Sequence, residues 1–132
     1  MDGPTATVSV IVEFEDVDSY RIAHHSKLVC YLERARLRLL KGLDLPLGPD
    51  DRVFPVMHEL NVKFHRPARL LDHLDVTAEL ARVDEFRVVL KYRIRREGQL
   101  VARATSSIAF VDLESGAPVT VPEKLFQQFG DL

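Results

Sequence analysis

Hydrophobic and polar residues alternate over residues 7–14: Val8, Val10, Val12 and Phe14 share one side, Thr7, Ser9 and Glu13 the other, with Ile11 the exception. A period of two predicts a half-buried strand. The acidic residues 15–21 fit neither period and read as a loop. Past them the spacing changes. Leu28, Leu32, Ala35 and Leu39 recur at four, three and four, Val29, Leu40 and Leu43 widen the stripe, and Lys27, Arg34, Arg38 and Lys41 take the opposite side. This predicts an amphipathic helix over residues 25–41, the strongest periodic signal in the chain. Ser26 is expected to cap its start, and Gly42 to end it in a left-handed conformation ahead of Pro46.

Residues 45–51 hold two Pro, a Gly and paired Asp, the composition of a loop. Strands dominate after it. Phe54, Val56, Leu60, Val62 and Phe64 set one face of a long strand, and His58 falls on that same face. Leu74, Val76, Ala78 and Leu80 mark the next strand, and Asp84-Glu85 the turn after it. Phe86, Val88, Leu90, Tyr92 and Ile94 alternate with Arg87, Lys91, Arg93 and Arg95; Glu97-Gly98 then turns the chain into Leu100, Ala102, Ala104, Ser106, Ile108 and Phe110. The last three strands form an antiparallel meander. Pro122 opens a short closing helix. The expected fold is α+β: a five-stranded antiparallel sheet wrapped around one long central helix, with Ala102, Ala104 and Ser106 small enough to let that helix approach.

Composition narrows the class. A chain of 132 residues makes one domain, residues 1–132, with 46% hydrophobic and 29% charged residues, which excludes disordered and collagen-like chains. Eighteen Lys+Arg against twenty Asp+Glu give a net charge of −2, so no global basic field points to nucleic acid. The single Cys30 excludes a disulfide framework and a Cys-based zinc cage; its helical spacing makes it an expected small buried hydrophobe. The five His show no ligand spacing, so no metal is expected. No apolar run reaches the roughly 20 residues of a membrane span. Met1-Asp2-Gly3-Pro4 has no basic start or apolar stretch of a signal peptide, so a cytoplasmic address is expected.

The junction between first strand and long helix carries the candidate chemistry. Asp16 and Asp18 lie just upstream of the expected helix start, and His24 and His25 at its first turn. A helix start offers unpaired N–H groups and a positive dipole end that can polarise a carbonyl, while a nearby Asp attacks it or activates water. Asp at such a position is also commonly a cap or a turn residue. The residues alone leave both readings open.

The stretch from Phe14 to Arg36 resembles the signature of the hotdog-fold acyl-CoA thioesterases, in their 4-hydroxybenzoyl-CoA thioesterase-like branch. Asp16-Val17-Asp18 matches the Asp-x-Asp pair, and Tyr31-Leu32-Glu33-Arg34-Ala35-Arg36 the helix motif. Downstream, Val62-Lys63-Phe64-His65-Arg66-Pro67-Ala68-Arg69 followed by Asp72 resembles the family's strand end with its Pro-Ala pair and acid. The resemblance implies a thioesterase acting on acyl-CoA or on the phosphopantetheine arm of an acyl-carrier protein, with no cofactor beyond that carried by the substrate. It implies Asp18 as nucleophile or as base for water, His25 as backbone N–H donor to the thioester carbonyl, and Asp16 as a brace of the loop. The family usually has Gly three residues after the catalytic Asp; here Arg21 stands there, preceded by Tyr20, so a remodelled loop touching the acyl group is expected. A hotdog protein that binds acyl thioesters without cleaving them, as a sensor or chaperone, is the alternative, and a hotdog dehydratase a more distant one.

Tyr20, Arg21, His24, His58, Arg66 and Arg69 are the expected substrate contacts, the two Arg as candidates for CoA phosphates. His58, on an apolar strand face, reads first as a hydrogen-bonded core or interface residue. Arg87, Lys91, Arg93, Arg95 and Arg103 read as a solvated outer face. Glu33 is expected to pair with Arg36 along the helix. Ile11, Val53, Met57, Val89, Val101 and Val111 add apolar residues to nominally outer faces, which suggests a covered patch. The resemblance implies a two-fold dimer joined edge to edge, often paired into a tetramer, with His58 and the strand 54–64 near the seam.

Overall fold

The computed structural model of the chain describes residues 3–45 and 52–132. Strand β1 (Thr5–Ile11) leads through a 3-10 turn (Phe14–Asp16) to helix α1 (His25–Gly42). Strands β2 (Val53–Phe64), β3 (His73–Val83), β4 (Arg87–Arg96) and β5 (Gln99–Asp112) follow, then a two-residue β6 (Pro118–Val119) and helix α2 (Glu123–Phe129). The sheet is antiparallel in the order β1-β3-β4-β5-β2. The five expected strands gain a sixth: β6 pairs with Phe110 and Val111, continuing the lane that β4 leaves at Ala109. The expected loop over residues 45–51, Pro46 included, lies outside the described residues beyond Leu45.

Helix α1 lays Leu28, Leu32, Ala35, Leu39 and Leu40 against the inner face of the sheet, chiefly β1 and β3. Leu74, Val76, Ala78, Leu80, Val88, Leu90, Ile94, Ala102 and Ile108 receive it, all below one-tenth exposed. The period-two and period-3.6 patterns therefore meet as expected. Tyr31, outside the predicted stripe, is also fully buried, whereas Cys30 is exposed rather than buried. Phe14 and Phe86 do not join the inner faces assigned to them. Each lies just beyond a strand end and is exposed.

Strand β2 departs most from the pattern. Met57 pairs with Ile108 and Glu59 with Ser107, so His58 is the extra residue of a β-bulge. The bulge reverses the alternation. Val53, Pro55 and Met57 share the inner face with Ile108 and Phe110, and beyond it Leu60, Val62 and Phe64 do so with Ser106, Ala104 and Ala102. Phe54 and Val56 thus face outward, and His58 is exposed, its side chain without a hydrogen bond among the described residues. Val101 is likewise buried at an irregularity opposite Ile94 and Arg95. Of the expected outer apolar residues, Ile11, Val89 and Val111 keep that place, and Phe54 and Val56 join them. Pro55 is tolerated because β2 is an edge strand. The β4–β5 turn places Glu97 and Gly98 both at positive φ, 49° and 81°, the conformation that two-residue hairpins require and Gly favours.

Candidate active site

The chain between β1 and α1 folds as a tight hairpin. Val17 bridges Ala23, and Asp18 N–H donates to the Ile22 carbonyl at 3.0 Å. Asp18 Oδ1 accepts from the backbone N–H groups of Tyr20 (2.8 Å) and Ile22 (3.2 Å), which fixes the carboxylate; its Oδ2 accepts nothing among the described residues. At the tip Arg21 has φ 62°, so this Arg itself holds the left-handed conformation that a Gly would favour. Tyr20 is exposed.

A second segment clamps the hairpin. Ala23 N–H donates to the Ala68 carbonyl at 2.7 Å, Leu70 N–H to Arg21 at 3.1 Å, and Leu71 N–H to Val12 at 2.8 Å, while Ile22 bridges Arg69. Ala68 is wholly buried at this junction. Arg69 N–H donates to Asp72 Oδ2, and Asp72 in turn pairs with Arg96 at 3.0 Å. This is why a Pro-Ala pair followed by an acid sits here: small Ala68 fits beneath the hairpin, and Asp72 closes the turn.

Asp16 ties the hairpin to the helix. Its Oδ2 accepts from the Tyr31 hydroxyl at 2.7 Å and from Glu13 N–H at 3.2 Å, and its carbonyl accepts from His24 N–H at 2.9 Å. Lys27 Nζ stands 3.9 Å from Oδ1. Asp16 is thus the brace, with Tyr31 as its partner. Burial holds the Tyr31 phenol far above its ordinary range, and the hydrogen bond to the Asp16 carboxylate adds to the shift. Burial likewise pushes Tyr92 up to about 12, despite a 2.7 Å hydrogen bond with Ser106. We expect Tyr31→Phe to cost about 1–3 kcal/mol at neutral pH, the worth of a hydrogen bond to a charged group. A folded-state value above the unfolded one gives stability that is complete below about pH 10 and is lost as pH rises toward the folded value. The gap between wild type and Tyr31→Phe in urea melts should therefore narrow above pH 10; a constant gap would refute the brace.

The helix start follows from His24 rather than Ser26. His24 has extended backbone at φ −63° and ψ 142°, and its Nδ1 accepts from Ser26 N–H at 3.2 Å. Its carbonyl accepts from Lys27 (2.8 Å) and Leu28 (3.4 Å). Three of the first four helical amides are therefore satisfied by one residue. The fourth, His25 N–H, has no acceptor among the described residues. At the far end Gly42 closes the helix without positive φ, and Asp44 takes the left-handed conformation instead, at φ 58°. Glu33 pairs with Arg36 as expected.

A cavity of about 320 Å³ opens at the start of α1, with His25 in its wall. Its wall is Ile22, Ala23, His25 and Leu28 from the hairpin and helix and residues 64–68 from the end of β2 onward. His25 stands edge-on to Phe64 at 6.4 Å and lies 4.2 Å from His24 between ring centroids. Arg66 also donates to the Leu100 carbonyl at 2.8 Å. The lining holds one Arg, two His and no carboxylate, a setting suited to negative charge. Of the expected site residues, His25 and Arg66 line this cavity. Asp18, Tyr20 and Arg21 sit in the hairpin whose returning arm, Ile22–Ala23, forms its wall; His24 caps the helix beside it, and Arg69 binds the hairpin's back. His58 is apart, at the bulge in β2.

A family model of the thioesterase-like superfamily matches residues 12–129. The chain belongs to the thioesterase-like superfamily. Among its relatives, an acyl-CoA thioesterase YbgC of Haemophilus influenzae is 28% identical over 126 residues, covering 93% of each chain. The acyl-CoA thioester hydrolase YbgC of Escherichia coli is 28% identical over 123 residues, covering 91% of this chain and 92% of the relative. A 1,4-dihydroxy-2-naphthoyl-CoA thioesterase from Synechocystis, at 20% identity and 98% coverage of both chains, superposes with a TM-score of 0.84. That likeness establishes the shared hotdog architecture. In this thioesterase-like chain the sequence reading missed the partnership of Tyr31 with Asp16 and the place of Phe64 and His65 in the cavity wall. Tyr31, Phe64 and His65 were read as members of the two motifs, without these roles. Tyr31 stands fifteen residues from the acid that it meets.

Proposed function

We propose that this thioesterase-like chain hydrolyses acyl-CoA thioesters in the cavity at the start of α1. The observation that carries the reading is His25, whose N–H is the one opening amide of the helix without an acceptor among the described residues and which lines a cavity without carboxylates. A thioester carbonyl seated there gains a hydrogen bond and the positive end of the helix dipole as its oxygen becomes an oxyanion. Asp18, its Oδ1 held by two amides and its Oδ2 without a donor among the described residues, supplies the attack. As base it takes a proton from water, the new C–O bond forms, the C–S bond breaks and the leaving sulfur takes that proton from Asp18 to depart as thiol. As nucleophile it forms a mixed anhydride as the C–S bond breaks and the thiolate leaves, and water then opens the anhydride to the free acid and the restored Asp18 carboxylate. A carrier protein's phosphopantetheine arm presents the same thioester. Free thiol should appear when the protein meets a panel of aliphatic, aryl and carrier-linked thioesters. Binding across that panel without thiol release would leave only a non-catalytic acyl-thioester binder.

The same reading includes a two-fold homodimer. Helix α1 covers β1 and β3, whereas the inner face of β2, including Leu60, Val62 and the half-exposed Phe64, lies past its cover at an open sheet edge. Such an edge invites a second strand, and Phe64 joins it to the cavity wall. Pairing of β2 with its copy would bring His58 to the seam and place neighbouring residues near Asp18. Light scattering at micromolar concentration should give twice the 15.0 kDa chain mass, or four times it if dimers pair again. An active monomer would refute the seam.

A further inference from the structure

The outer face of the sheet carries a charge arrangement that neither the core nor the α1 cavity accounts for. Lys63 on β2 lies directly across from Arg103 on β5, and Arg103 directly across from Arg93 on β4. Like charges set opposite one another destabilise a sheet. The flanking cations are different: Arg95 lies opposite Asp75, and Lys91 opposite Glu79. Glu59 stands farther along β2, opposite Ser107. Beyond Arg93 the row ends at Thr77, whose hydroxyl is bonded to that of Thr7 at 2.9 Å. Among the described residues, none of Lys63, Lys91, Arg93 and Arg103 takes part in an ion pair. The chain as a whole is slightly acidic, so this surplus is local.

The row is also concave. A groove of about 350 Å³ lies over it, lined by those four cations together with Asn61 and Thr105, and floored by the inward-facing positions Tyr92 and Ala104, both buried. We propose that this groove binds a compact polyphosphate group, a di- or triphosphate. Two guanidinium forks give paired N–H donors to phosphate oxygens, the two Lys add point charges, and the neutral Asn61 and Thr105 side chains add uncharged donors. The lining offers no apolar anchor of the kind a protein partner needs. It offers no aromatic face for stacking a nucleobase either, because the Tyr92 ring is buried on the other side with its hydroxyl on Ser106. The groove's size suits a small phosphorylated molecule. The proposal does not depend on the thioesterase reading.

Pyrophosphate titrated calorimetrically into the intact protein at low salt should show one saturable site per chain, weakening steeply as salt rises. The double variant Arg93→Gln, Arg103→Gln should bind at least roughly tenfold more weakly, because a charge-assisted contact is lost at each position. Without ligand that variant should melt no lower than wild type, since it removes an opposed pair of like charges. Absence of saturable binding at millimolar pyrophosphate, unchanged affinity in the variant, or a lowered melting temperature would each overturn the proposal. Two further arms identify the source of the polyphosphate. A non-hydrolysable CoA thioether that displaces pyrophosphate, where the corresponding acyl-pantetheine analogue does not, assigns the groove to the nucleotide end of CoA. A thioether that leaves pyrophosphate in place assigns it to a free phosphorylated metabolite. Binding is read without turnover, so a chain that cleaves no thioester could still uphold the site, and an active thioesterase could still lack it.

Discussion

Asp18→Asn should lower kcat for thioester hydrolysis by about a hundred- to ten-thousandfold, the range expected when an acid–base or nucleophilic group is removed. Asn is the informative substitution. Its amide oxygen can still accept from the Tyr20 and Ile22 amides that hold Asp18 Oδ1, so the hairpin keeps its bonds while the charge is gone. Asp18→Ala would lose both bonds and mix catalysis with loop disorder. Circular dichroism and melting temperature should match wild type for Asp18→Asn, and binding of a non-hydrolysable acyl-CoA should persist. A variant that turns over thioesters at the wild-type rate would remove Asp18 from the mechanism, whatever became of the fold.

Leu32→Ala should destabilise the chain by about 2–5 kcal/mol, the cost of emptying a fully enclosed Leu site. Leu32 is 1% exposed in the stripe that α1 presses into the sheet. The neighbouring strands are mutually hydrogen-bonded and cannot close over the gap, so cavity loss adds to transfer loss. A chain of this size should lose on the order of 10 °C in melting temperature. Wild type and variant must be compared at equal protein concentration, because dimer formation would itself raise the melting temperature by mass action. Leu37→Ala on the same helix is the control: Leu37 is 59% exposed, and its loss should change stability by less than about 0.5 kcal/mol. Equal losses at the two positions would refute the assignment of the buried face.

Together these variants separate two jobs of one helix. Its flank, through Leu28, Leu32, Ala35 and Leu39, holds the sheet. Its first residue, His25, lines the cavity, while His24 satisfies the next three amides. Tyr31 joins the two jobs, buried with the flank yet bonded to the acid that sets the hairpin.

The sequence by itself determined the elements whose periodicity is local. The 3.6-residue stripe from Leu28 to Leu39 and the alternation through Leu74–Leu80, Val88–Ile94 and Ala102–Phe110 each describe a single segment facing a single core, and each met that core as read. The Asp16–Asp18 and Tyr31–Arg36 motifs were legible for the same reason, because they occupy consecutive residues of one hairpin and one helix. What only the tertiary structure decided depends on a partner elsewhere in the chain. The bulge at His58 exists because β5 runs opposite β2 with one residue fewer, and it turns Phe54 and Val56 outward against an apparently unbroken pattern. His24 rather than Ser26 caps α1 because Asp16 and Ala68 fix where the chain enters the helix, through the amides of His24 and Ala23. Arg21 holds a left-handed conformation that its side chain disfavours, within a hairpin bonded on both arms and to Leu70. The cavity itself joins residues 22–28 to residues 64–68, and the cation row aligns three strands. A pattern along one segment cannot contain such positions, since registers between distant strands are set by the packing of the whole sheet.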